Sequence, residues 1–161
     1  MMHRRAFLTT SLLALAFPAF AQSASPVLDN PLAAVKRVYD PKVKDVQRPY
    51  TKKLRALYAA ATKKSKQLNE PVSGLDFDPI IAGQDSDDDF RKTLKYAVEP
   101  RGAGYAVVVV KFKQFKTEPE VTLFYEVMLD GNEWKIDDIV NPAKEFGWRL
   151  STMLIAGAKG Q

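Results

Sequence analysis

Between residues 50 and 68, apolar side chains return every three or four positions, at Tyr50, Leu54, Leu57, Tyr58, Ala61 and Leu68. This spacing predicts an amphipathic helix over about 49–68. Lys52, Lys53, Arg55, Lys63, Lys64 and Lys66 fall on its opposite side. A shorter helix is predicted in "DNPLAAVKRVYD", where Asn30 can cap, Pro31 suits the first helical position, and Leu32, Val35 and Tyr39 form a stripe. Asp40-Pro41 ends it.

Beyond residue 93 the period drops to two. Leu94, Tyr96 and Val98 alternate with Thr93, Lys95 and Ala97. A turn over 100–104 follows, then "YAVVVVKFKQF", "VTLFYEVML", the hairpin dipeptide Asp130-Gly131, and "EWKIDDIV". Connections this short make an antiparallel meander of about four or more strands. A closing helix is expected after Asn141-Pro142, with Ala143, Phe146, Gly147, Leu150, Met153 and Leu154 on one face. Helices, then a meander, then a helix define an α+β domain over residues 30–157.

Strict alternation also sorts the strand faces. Val121, Leu123, Tyr125, Val127 and Leu129 share one face, and Glu120, Thr122, Phe124, Glu126 and Met128 the other. In the last strand the same rule groups Trp134, Ile136, Asp138 and Val140. A carboxylate among apolar neighbours must be hydrogen-bonded, paired, or at the mouth of a pocket. Asp138 is therefore either a strand-end aspartate that accepts backbone amides or a pocket acid.

The N-terminus sets an address. "MMHRRAFLTTSLLALAFPAFAQ" has a basic start, an apolar run too short to span a bilayer, and a small-x-small site at Ala19-Phe20-Ala21. Residues 1–21 are expected to be a signal peptide and 22–29 a flexible leader, with the mature protein in the periplasm. Arg4-Arg5 ahead of Phe7 and Leu8 fits a twin-arginine export signal, although ordinary secretory signals also carry arginine pairs. No later stretch is long enough to form a transmembrane segment. Loss of Arg4 and Arg5 lowers the formal charge from +5 to +3, too mild a surplus to imply nucleic acid.

Two absences narrow the chemistry. The chain has no cysteine, and its only histidine, His3, lies in the signal segment. The mature protein therefore has no Ser-His-Asp or Cys-His set and no His- or Cys-ligated zinc. Carboxylates, lysines, tyrosines and hydroxyls remain for acid–base work. No cofactor is implied.

The segment "LDFDPIIAGQDSDDDF", residues 75–90, holds six aspartates and no basic residue. Asp85 to Asp89 begins like a calcium-binding loop, but Phe90 stands where the turn needs glycine and Tyr96 where a bidentate glutamate belongs. No metal site is assigned. Asp78-Pro79 reads as the cap and first residue of one helical turn that buries Ile80 and Ile81 and stops at Gly83. Asp87-Asp88-Asp89 reads as a solvated lead-in to the sheet, facing the lysine-rich helix through a weak, salt-sensitive attraction.

Taken together, "AVKRVYD", "KKLRALYAAA", "LDFDPIIAGQD" and "WKIDDIV" resemble the bacterial domain-of-unknown-function family 3828, over about residues 32–154. That family looks related to the nuclear transport factor 2-like superfamily. The resemblance implies a curved antiparallel sheet wrapped round helices into a cone with a concave pocket. It also places Phe77, Asp78, Pro79, Gln84 and Asp85 in a central motif, and Trp134, Ile136, Asp137 and Asp138 in a strand motif. Some similar domains act as toxin-immunity proteins.

The expected function is a non-enzymatic binding or interaction domain that uses the concave pocket or its rim. Asp138, Trp134, Asp85 and Gln84 are the candidate ligand or partner contacts, and Phe77, Asp78 and Pro79 form the structural motif. One alternative is a pocket-acid isomerase or dehydratase with Asp138 as base and Tyr105 or Tyr125 as hydrogen-bond donor. Another is a toxin-immunity or envelope adaptor protein. Expected partners are a small ligand or an envelope protein. The Lys52–Lys66 face is open to weak contact with anionic surfaces, and a homodimer is left open.

Overall fold

The computed structural model describes residues 30–72 and 74–161. The expected signal peptide and leader, and with them His3, lie outside the described residues. Helix α1 spans Pro31–Tyr39, where the Asn30 side chain accepts the Leu32 N–H at 2.9 Å. Helix α2 spans Lys52–Leu68, capped by Thr51, whose hydroxyl accepts the Leu54 N–H at 3.1 Å. After a 3-10 turn at Phe90–Thr93 come β1 (Lys95–Pro100), β2 (Tyr105–Lys113), β3 (Glu120–Asp130) and β4 (Glu133–Asn141). A two-residue strand, β5 (Trp148–Arg149), leads directly into α3 (Leu150–Lys159). The described residues are α+β: one open antiparallel sheet in the order β1-β2-β3-β4-β5, with three α-helices.

Each of the five strands pairs only with its chain neighbours among the strands, as short connections require. The inner face carries Val108, Val110, Phe112, Leu123, Tyr125, Val127, Ile136 and Ile139, all fully buried. Helix α1 lies against this face. Its Tyr39 ring meets Phe90, Tyr96, Phe112 and Tyr125 edge-on, with centroids 6.1 to 6.5 Å apart. Helix α3 packs against α2.

Three local expectations are corrected. The closing helix begins at Leu150, not after Asn141-Pro142. Asn141 does bond the Ala143 N–H at 3.0 Å, but the chain then doubles back so that Trp148 and Arg149 pair with Asn141 and Val140. Phe146, expected on the buried face, is 81% exposed. Backbone pairing on the open edge of β4 outweighs the helical period there, because buried backbone N–H and C=O groups need partners. Second, "DPIIAG" is a tight turn and not a helical turn. Asp78 and Gly83 form an antiparallel bridge, and the Asp78 carboxylate accepts the Ile80 N–H at 3.0 Å. Third, Asp89 faces Lys92 and Lys116 at 3.9 and 3.4 Å, not the lysines of α2.

The last strand departs most from strict alternation. Its register with β3 slips between Glu126 and Val127, leaving Asp137 as an extra residue: Val127 pairs with Ile136 but Glu126 with Asp138. A bulge of this kind turns the following side chains over. Trp134, Ile136 and Ile139 thus lie on the inner face, opposite Leu129, Val127 and Tyr125. Asp138 and Val140 move to the outer face beside Glu126 and Phe124.

Candidate functional site

The free edge of β4 is shared by two segments. The Ile136 N–H donates to Pro49 O at 2.8 Å, and its carbonyl accepts the Thr51 N–H at 2.9 Å, so the entrance to α2 pairs with one half. Strand β5, the entrance to α3, pairs with the other half. Asp137 and Asp138 sit between them.

Asp138 is 2% exposed, and each of its oxygens has two donors. Oδ1 accepts the N–H groups of Ile139 at 2.9 Å and Ser151 at 3.0 Å. Oδ2 accepts the Ser151 hydroxyl at 2.5 Å and the Arg149 guanidinium at 2.7 Å. Arg149, the N-cap of α3, offers no side-chain acceptor to the first turn, and no acidic residue lies in that turn. Asp138 supplies from β4 the anion that a helix N-terminus favours. Arg149 also grips both oxygens of Glu126, at 2.6 and 2.9 Å. Glu126 first, and Asp138 with it, hold the guanidinium pKa above its ordinary value.

Asp137 accepts the Thr51 hydroxyl at 3.0 Å and the Lys53 ammonium at 2.8 Å. That hydrogen bond raises the Lys53 pKa.

The two tyrosines proposed beside Asp138 fall on opposite faces of the sheet. Tyr125 is fully buried on the inner face, the opposite side of the sheet from Asp138. Its hydroxyl is 2.8 Å from that of Tyr39, which donates to Ile80 O at 2.8 Å. Tyr39 has one proton, spent on Ile80, so Tyr125 is the donor in the pair. Burial raises the pKa of both tyrosines, most plainly that of Tyr125. Tyr105, at the start of β2, alternates with the buried Ala106 and Val108 and so shares the outer face with Glu126 and Asp138; desolvation first, with Glu126 after it, raises its pKa.

The four candidate contacts are not one constellation. Trp134 sits where β3 turns into β4, beside the β1–β2 turn, whose Gly104 carbonyl accepts the Leu129 N–H at 2.9 Å. It walls an apolar slot of about 430 Å³ with Pro31, Val98, Pro100, Tyr105 and Ala106. Gln84 and Asp85 are exposed on the loop before the 3-10 turn. That loop is tied to the other end of β2: the Gln114 amide donates to Asp85 O at 2.6 Å, and Asp87 accepts the Lys116 N–H at 2.8 Å. The length of β2, roughly 26 Å, separates the two ends. Asp138 lies on the other face of the sheet.

Phe77 is half-buried with its ring 5.2 Å from that of Trp148, and Pro79 is buried, so this motif packs the "DPIIAG" turn against β5. Among the described residues no group of three His, Cys, Asp or Glu side chains is placed to hold a metal ion, and no helix is long and apolar enough to cross a membrane.

Thr51, Arg149 and Ser151 were not singled out in the sequence. A signal for the last two exists: α3 starts without a Ser, Thr, Asp or Asn cap, which requires an acceptor from elsewhere. No known family, curated protein or solved structure matches the chain.

Proposed function

We propose that this protein is a non-enzymatic binding module of the periplasm, exported through its N-terminal signal and built as a member of family 3828 with a nuclear transport factor 2-like cone. Its binding element is the rim slot beside Trp134, which takes an apolar group of a small ligand or envelope protein.

The slot is the observation that carries this reading. Binding sites are concave, mostly apolar and few per protein, with volumes of roughly 300–1,000 Å³. The slot meets that description, and its walls are residues held on three strands, β1, β2 and β4, and a helix start. The acid–base alternative has less support. Asp138 has four donors on its two oxygens, and Tyr125 faces the opposite side of the sheet.

Nile red, an uncharged apolar dye, tests the reading in a Trp148→Phe background that leaves Trp134 as the sole indole. Binding should brighten the dye and quench Trp134, and Val98→Phe, at a 38% exposed position on the edge strand β1, should abolish both. Dye binding that leaves Trp134 emission unchanged, or that survives Val98→Phe, would remove the slot as the site.

A further inference from the structure

A second concavity lies on α2, away from the sheet. Tyr58, Ala59, Thr62, Lys63 and Lys66 line a groove of about 600 Å³ with Gln47 of the α1–α2 connection. Its charge is one-sided. No carboxylate lines it, and none of the ion pairs among the described residues includes Lys63 or Lys66. The two lysines are three residues apart on a helix, so their ammonium groups can reach one point. Thr62 and Gln47 add a hydroxyl and an amide as further donors.

The floor is fixed. The Tyr58 ring stacks on that of Tyr50, with centroids 5.8 Å apart and planes 12° from parallel, and Tyr50 is buried and bridged to β4. Burial pushes the Tyr58 pKa up to about 12, so its hydroxyl remains neutral at physiological pH. Asp78, the carboxylate that acts on Tyr58, has its Oδ1 engaged by the Ile80 N–H.

We infer that this groove binds a small soluble phosphate monoester, with its dianion between Lys63 and Lys66 and its organic portion over Tyr58 and Ala59. Lysine engages phosphate as a point charge, whereas planar carboxylate recognition favours the arginine fork, and no arginine lines the groove. A phosphoryl group has three terminal oxygens for the two ammonium groups, the Thr62 hydroxyl and the Gln47 amide. A ring or short chain then meets the Tyr58 ring and Ala59, which line the same groove.

Phenyl phosphate is the probe, followed by amide and tyrosine-ring NMR signals of the purified protein. The expected result is saturable movement of signals from Gln47 and residues 58–67, with the Trp134 signal unmoved. Lys63→Gln with Lys66→Gln, at exposed positions that leave the fold intact, should weaken binding at least about tenfold. Inorganic phosphate and phenol should each bind about tenfold more weakly than the ester. Phenyl phosphate binding that is unchanged in the double variant, or no tighter than inorganic phosphate, would overturn the inference. Movement of the same signals by phosphatidylglycerol vesicles but not by phenyl phosphate would also overturn it, by placing a lipid surface there instead.

Discussion

Asp137 and Asp138 are consecutive in β4 yet anchor different helices. Asp137 accepts the hydroxyl of Thr51, the N-cap of α2, at 3.0 Å, while Asp138 accepts the N–H of Ser151, in the first turn of α3, at 3.0 Å. The bulge at Asp137 directs one carboxylate to each helix. The two helix entrances also flank β4 as edge partners, so a single strand positions both helices and, through them, their mutual packing.

The two aspartates should differ in worth. Asp138→Ala strands two backbone N–H groups and the Ser151 hydroxyl in a buried place, and should cost about 3 kcal/mol. Asp137→Ala, whose lysine partner is exposed, should cost about 1 kcal/mol. Urea unfolding midpoints measure both, and equal losses would show that Asp138 does not cap α3.

Thr51 and Asp137 should be coupled. Thr51→Ala removes a helix cap and should cost about 1 kcal/mol alone. Combined with Asp137→Ala, the total should fall below the sum by about 0.5 kcal/mol, because Thr51 serves as both acceptor to Leu54 and donor to Asp137. A double-mutant cycle gives the difference, and strict additivity would break the link.

The buried tyrosine pair predicts an order. Tyr39→Phe leaves both the Tyr125 hydroxyl and the Ile80 carbonyl without their partner and should cost about 2 kcal/mol. Tyr125→Phe leaves the Tyr39–Ile80 bond in place and should cost about 1 kcal/mol. Thermal unfolding of the two variants would test the order, which a larger loss for Tyr125→Phe would reverse.

Alkaline pH should unfold the protein. Burial raises the folded pKa of Tyr39, Tyr50 and Tyr125 above 10.0, and that of Tyr58 to about 12. A raised folded value means full stability below the unfolded pKa and loss as pH climbs through the folded one. The loss should therefore begin near pH 10 and continue to pH 12 and beyond, with tyrosinate absorbance rising together with loss of circular dichroism. Tyrosinate that forms well before any unfolding would contradict the burial of this cluster.

Gly147 should resist substitution. A Cβ there would lie 2.3 Å from the Ala143 carbonyl oxygen and 3.0 Å from that of Asn141. Gly147→Ala should open the turn that seats β5 on β4 and cost about 2 kcal/mol or more, while Phe146→Ser, on the exposed neighbour, should cost under about 0.5 kcal/mol. Amide exchange of Arg149 would report the opening, and protection equal to wild type would refute it.

The sequence by itself determined the elements whose signals are local. Asn30, Pro31 and the stripe of α1, the apolar period of α2, and the alternation of β1 to β3 each act within a few residues, and the described α+β order follows from them. It also excluded thiol chemistry, since the chain has no cysteine and residue types need no coordinates. The tertiary structure alone decided the rest. Where β4 slips by one residue depends on β3 and on two helix entrances that pair with its edge, none of which is near in the chain. That slip moved Asp138 from the apolar face to the outer one and gave both of its oxygens to α3. The start of α3 was likewise set by β5 pairing rather than by the helical period of residues 143–150. Trp134 became part of a slot only because the β1–β2 turn and the start of α1 meet it in space, and Gln84 and Asp85 fell at the opposite end because β2 is nine residues long. Side-chain periodicity says which face a residue prefers, but register, bulges and neighbouring edges choose what it touches.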